Sequence, residues 1–83
     1  MAEILIVEDE PSINGLIRRN LNLTGHHCTQ AFDGLSAVEM LESGSFDLIV
    51  LDIMLPGMDG YQVFEKVSGT PVIFLTAKSE LSC

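Results

Sequence analysis

Apolar residues along this chain follow two rhythms. Ile4 to Val7, Leu48 to Leu51 and Val72 to Leu75 are short continuous apolar runs. Such runs suit strands covered on both faces, the habit of parallel sheets. His26 to Ala31 reads as a weaker strand of the same kind. Between the runs the spacing turns helical. Ile13, Leu16, Ile17 and Leu21 mark a first helix, Ala37, Val38 and Leu41 a second, and Val63, Phe64 and Val67 a short third. Pro11 fits the first turn of the first helix, where its missing N–H costs little. Gly25 and Gly44 are stop signals, Asp33-Gly34 reads as a turn, and Asp59 is placed to cap the third helix. Gly69-Thr70-Pro71 ends that helix before the last run, which Thr76 closes. The order is β-α-β-α-β-α-β, which predicts a parallel sheet with right-handed crossovers. That alternation alone permits many functions.

Length and charge narrow the field. The chain's 83 residues make one small domain. A domain of this size buries roughly 60% of its unfolded surface and is modestly stable. Twelve acidic residues face four basic ones, a net charge of −8. Nucleic acid and anionic membrane surfaces are poor partners for such a chain. A divalent cation or a basic partner suits it, as does plain solubility. Met1 to Val7 lacks a basic stretch and a long apolar core, so no secretory signal is expected. No apolar run approaches the about 20 residues of a membrane span. The expectation is a soluble, cytoplasmic protein. Cys28 and Cys83 do not make a disulfide framework. Cys28 is expected as a buried, inert thiol and Cys83 as a frayed last residue.

The candidate chemistry lies where the strands end. In a parallel sheet every strand's carboxyl end lies at one edge, and ligands bind outside it. Glu8 and Asp9 follow the first run, Asp52 ends the third and Thr76 the fourth. If the first and third strands are neighbours, Asp9 and Asp52 converge. Hard oxygen ligands with no His or Cys nearby suit Mg²⁺ rather than Zn²⁺. A dication between Glu8, Asp9 and Asp52 would explain how clustered like charges tolerate one another. Each residue also has a plainer reading. Acids here favour the N-terminus of the next helix, and that reading is preferred for Glu10. Asp52 could be a turn residue and Thr76 could bond back to its own main chain. Lys78 reads as a solvated lysine, and the His26-His27 pair as part of a surface loop.

Together "ILIVEDE", "DLIVLDIMLPGMDG" and "PVIFLTAKSE" resemble the three signature blocks of bacterial response-regulator receiver domains. The nearest likeness is to the branch that carries winged-helix transcription factors. The blocks occur in the right order, each at a strand end, and the resemblance runs the length of the chain. It implies a flavodoxin-like (CheY-like) doubly wound α/β fold with strand order 2-1-3-4. It also implies a phospho-acceptor rather than an enzyme, with at most weak self-catalysed phosphotransfer and dephosphorylation. Asp52 would take a phosphoryl group from a histidine kinase. Asp9 would ligate Mg²⁺ directly, Glu8 through water, and the backbone carbonyl of Met54 would complete the protein's share. Thr76 would hydrogen-bond the phosphoryl group, with the Ala77 N–H beside it, and Pro56 and Gly57 would shape the loop. A flavin- or nucleotide-binding enzyme of similar fold finds no support, since "EDEPS" stands where a glycine-rich phosphate loop would.

The family pattern continues past this sequence. A complete receiver has five strands and five helices, whereas residues 1–83 reach the fourth strand and end in "SELSC". The resemblance therefore implies a single truncated receiver domain lacking the fifth-strand lysine that pairs with the phosphoryl group. Impaired phosphorylation is expected to follow. The fourth strand would be an open apolar edge, which invites pairing with a second copy. A homo-oligomer is the partner expectation beside the kinase. The alternative reading is a non-signalling fragment that self-associates through that edge.

Overall fold

A computed structural model of the chain describes residues 1–75. Thr76, Ala77, Lys78 and Cys83 lie outside the described residues. The elements follow the expected alternation: β1 (Glu3–Val7), α1 (Pro11–Leu23), β2 (His27–Ala31), α2 (Gly34–Ser43), β3 (Leu48–Asp52), α3 (Gly60–Phe64) and β4 (Val72–Leu75). The strands form one parallel sheet in the order β2-β1-β3-β4, as expected. Val7 stands level with Ala31 on one side and with Leu51 on the other. That register brings Glu8 and Asp52 out together at the carboxyl edge.

Alternate residues of β1 and β3 serve opposite faces, and both faces are covered. Leu5, Val7, Ile49 and Leu51 meet Ala37 of α2 and Val63 of α3 on one side. Ile4, Ile6 and Val50 meet Ile17 and Leu21 of α1 on the other. This double cover is why the runs are apolar throughout rather than alternating. Each fully buried aliphatic side chain there contributes about 1.5–3 kcal/mol. Most of the helix punctuation acts as the sequence suggests, although α3 ends at Phe64, short of Val67 and well before Gly69-Thr70-Pro71. Pro11 occupies the first turn of α1. Gly25, at φ +91°, turns the chain away just after it. Asp59 caps α3 in a reciprocal pair with Gln62.

Several expectations need correction. Leu16 is 57% exposed, because Ile17 and Leu21 carry the contact of α1 with the sheet and Leu16 points past it. Phe64 is 46% exposed; α3 ends there, and its ring packs against Phe74 at 5.4 Å. Asp33 is a helix cap rather than a turn residue, its Oδ1 accepting from the Ser36 N–H at 2.7 Å, and Gly34 begins α2. Of the two histidines only His27 leaves the expected loop; His26 stays in the connection before β2. His27 opens β2 opposite Glu3, with Nδ1 2.8 Å from Glu3 Oε1, while His26 Nδ1 accepts from the Ala2 N–H. Cys28 is half-buried, because β2 is an outer strand. Partial burial still pushes its thiol above the ordinary range, with Glu3 adding to the shift and Arg18 opposing it. Among the described residues no helix is long and apolar enough to cross a membrane.

Candidate functional site

Two loops supply the acids at the carboxyl edge. In the first, the Glu8 N–H donates to the Ala31 carbonyl at 3.1 Å and extends the β1–β2 ladder by one residue. The Glu8 side chain is 1% exposed, and its Oε2 accepts from the Glu10 N–H at 2.8 Å. That bond folds the loop tightly before α1 starts, with Asp9 left exposed at its tip. Glu10 N-caps α1 through its backbone, and its own carboxylate takes the Ser12 hydroxyl at 3.3 Å.

In the second loop, Asp52 is the last residue of β3 and is 3% exposed. Its Oδ1 accepts from the Met54 N–H at 3.1 Å. Its Oδ2 is buried with no hydrogen-bond partner among the described residues. The chain beyond it is pinned by Leu55, which enters the core, and by the Gly60 N–H, which donates to the Ile53 carbonyl at 2.7 Å. Gly57 takes φ +77°, a conformation open to glycine and costly to other residues. Pro56 and Gly57 thus sit in the turn of the Asp52 loop, both exposed. The Met54 side chain points into solvent.

Carboxylate oxygens of Glu8, Asp9 and Asp52 lie within 4.8 Å of one another. Ionised carboxylates at that spacing repel by about 3 kcal/mol per pair near a protein surface. A buried oxygen without a donor adds a desolvation cost that native structures rarely leave unmet. Both costs vanish if a hard cation sits among the three groups. Two buried carboxylates and one exposed carboxylate, with no nitrogen or sulfur ligand in the cluster among the described residues, match Mg²⁺, which takes one or two carboxylates and keeps several waters. The residues present therefore fit that ion.

Two supports were not singled out from the sequence. Asn14 of α1 is fully buried beneath the first loop. Its signal was present: a polar residue three positions before Ile17 and seven before Leu21, inside the apolar stripe. Gly60 is the other. A Cβ there would stand 2.5 Å from the Asp52 carbonyl oxygen and 2.7 Å from the Ile53 Cα. The sequence offered Asp59 beside it as a cap, but the close approach of Gly60 to β3 is a tertiary fact.

Comparison with known proteins agrees with this geometry. The family model described as "Response regulator receiver domain" matches residues 4–83. The transcriptional regulatory protein TcrA of Mycobacterium tuberculosis is 41% identical over 83 residues, covering 95% of this chain and 33% of TcrA. The chain spans about a third of the length of the curated relatives it matches. Among solved structures, the response regulator TrrA from Thermotoga maritima, in complex with Mg²⁺-BeF, superposes with a TM-score of 0.86 at 37% identity. That alignment covers 96% of this chain and 73% of TrrA. A receiver domain of a sensor histidine kinase from Pseudomonas aeruginosa, with magnesium coordinated in the active-site cleft, gives 0.85 at 34% identity, covering 94% and 69%. The fold is the flavodoxin-like one of these receivers.

Proposed function

Because the chain belongs to the response regulator receiver domain family, we propose that it is a phospho-acceptor whose nucleophile is Asp52 and whose donor is a histidine kinase. A carboxylate oxygen of Asp52 forms the new P–O bond. The bond from phosphorus to the donor's imidazole nitrogen breaks, and its electron pair leaves with that nitrogen. The family's chemistry asks the protein mainly for positioning and charge neutralisation. Asp9 is assigned as a direct Mg²⁺ ligand, Glu8 as a ligand through water, Asp52 and the Met54 carbonyl as the remaining protein ligands. When bound, Mg²⁺ offsets the charge of the carboxylates and of the arriving phosphoryl group. The Met54 N–H holds Asp52 Oδ1, which fixes the rotation of the carboxylate. Thr76 and the Ala77 N–H are assigned to the phosphoryl oxygens and lie outside the described residues. Turnover of a substrate is not part of this role; the chain is itself the group that is modified.

The observation that carries this reading is the buried Oδ2 of Asp52, without a partner among the described residues, inside the three-carboxylate cluster. The test is intact mass after incubation with acetyl phosphate, with and without Mg²⁺, beside Asp52→Asn. The expected result is a Mg²⁺-dependent phosphoryl adduct that the variant lacks, which would mean the residues of this chain suffice. A folded sample without adduct contradicts the proposal. It would favour the second reading, self-association through β4. Among the described residues β4 is an outer strand, and its Ile73 is 53% exposed. A concentration-independent monomer by sedimentation would remove that second reading.

A further inference from the structure

We infer that Asn14 is a positioning residue for the metal-binding loop, setting the affinity of the acid cluster for a divalent cation without touching it. The inference rests on the proposed Mg²⁺ site and names a part of its machinery that the family signature blocks do not contain. Asn14 is fully buried on α1, an expensive place for an amide unless its hydrogen bonds are met. They are met with unusual economy. Its Nδ2 donates to the Glu8 carbonyl at 2.9 Å and to the Ala31 carbonyl at 3.1 Å. Its Oδ1 accepts from Gln30 Nε2 at 2.9 Å, which fixes which way the amide faces. Both Nδ2 hydrogens are therefore aimed at backbone carbonyls where the strands leave the sheet: Glu8, just beyond β1, and Ala31, the last residue of β2.

The consequence for the site is direct. Glu8 is held through its N–H by Ala31 and through its carbonyl by Asn14, while its carboxylate takes the Glu10 N–H. The Asn14 N–H itself donates to the Glu10 carbonyl at 2.9 Å, so one residue grips the loop at both ends. Asp9 lies between those two grips. Its position, and the direction in which the Glu8 side chain leaves the backbone, are set by a side chain of α1 that is not one of the clustered carboxylates. Outer groups that orient ligands commonly matter to metal affinity by an order of magnitude.

The experiment measures Mg²⁺ dissociation constants calorimetrically for the wild-type chain, Asn14→Leu and Gln30→Ala, with the folded fraction of each checked by circular dichroism. Leucine keeps the branched outline and removes all three side-chain bonds, though its methyl groups are bulkier than the amide; Gln30→Ala leaves Asn14 in place but frees its amide to rotate. The expected result is binding weakened about tenfold in Asn14→Leu, with a smaller loss of the same sign in Gln30→Ala. A merely structural amide would lower the melting temperature yet leave the constant of the folded protein unchanged. A folded Asn14→Leu with wild-type affinity overturns the inference. Should that variant not fold, wild-type affinity in Gln30→Ala overturns it. A wild-type chain that binds no Mg²⁺ instead refutes the proposed function itself, a distinct outcome.

Discussion

The two loops that bring acids to the sheet edge are held in opposite ways. The loop after β3 is shaped largely by residues within and just beyond it. Gly57 makes its left-handed turn, Asp59 and Gln62 close a capping box, and Gly60 lets the chain lie against the end of β3. The loop after β1 has no glycine between Val7 and Pro11. It is held from α1 and from β2, by Asn14 and by the carbonyl of Ala31. One loop is shaped mainly by its own residues, with Leu55 anchoring it in the core; the other is a short bridge held mainly by its neighbours. Convergence of the carboxylates thus depends on local turn chemistry on one side and on tertiary packing on the other.

The contrast can be broken at its strongest point. Gly60→Ala puts a methyl group into the backbone of Asp52 and Ile53, which cannot swing aside as a flexible side chain could. The expected cost is about 3 kcal/mol, read from urea unfolding midpoints. Midpoints equal to wild type would mean that the close approach is not what fixes the Asp52 loop. A smaller effect sharpens the same contrast. Asp59→Ala removes one side of the capping box on α3 and is expected to cost about 1 kcal/mol in the same assay. A loss several times larger would show that the Asp52 loop leans on its cap far more than on its glycines.

What was legible in the sequence follows the same division. The β3–α3 loop could be read because Pro56, Gly57 and Asp59 act on their own neighbours in the chain. The acids could be read because Asp52 ends an apolar run and Glu8 follows one, and strand alternation put them at a common edge. Asn14 was passed over because its partners are six and seventeen residues away. A polar residue inside an apolar stripe marks a buried hydrogen-bonding group without saying what it grips. Helix exposure misled for a related reason. Leu16 and Phe64 obey helical periodicity, but periodicity does not say how wide a stripe the sheet covers. The outer position of β2, which leaves Cys28 half-exposed, came from strand order and not from the residues themselves.

The measurement that tests the central claim most directly is a Mg²⁺ titration of the ¹⁵N-labelled chain, following backbone amides of both loops by NMR. Two separately held loops forming one site predict that Glu8, Asp9, Asp52 and Met54 shift together with a single dissociation constant. Shifts confined to one loop, or two different constants, would contradict it.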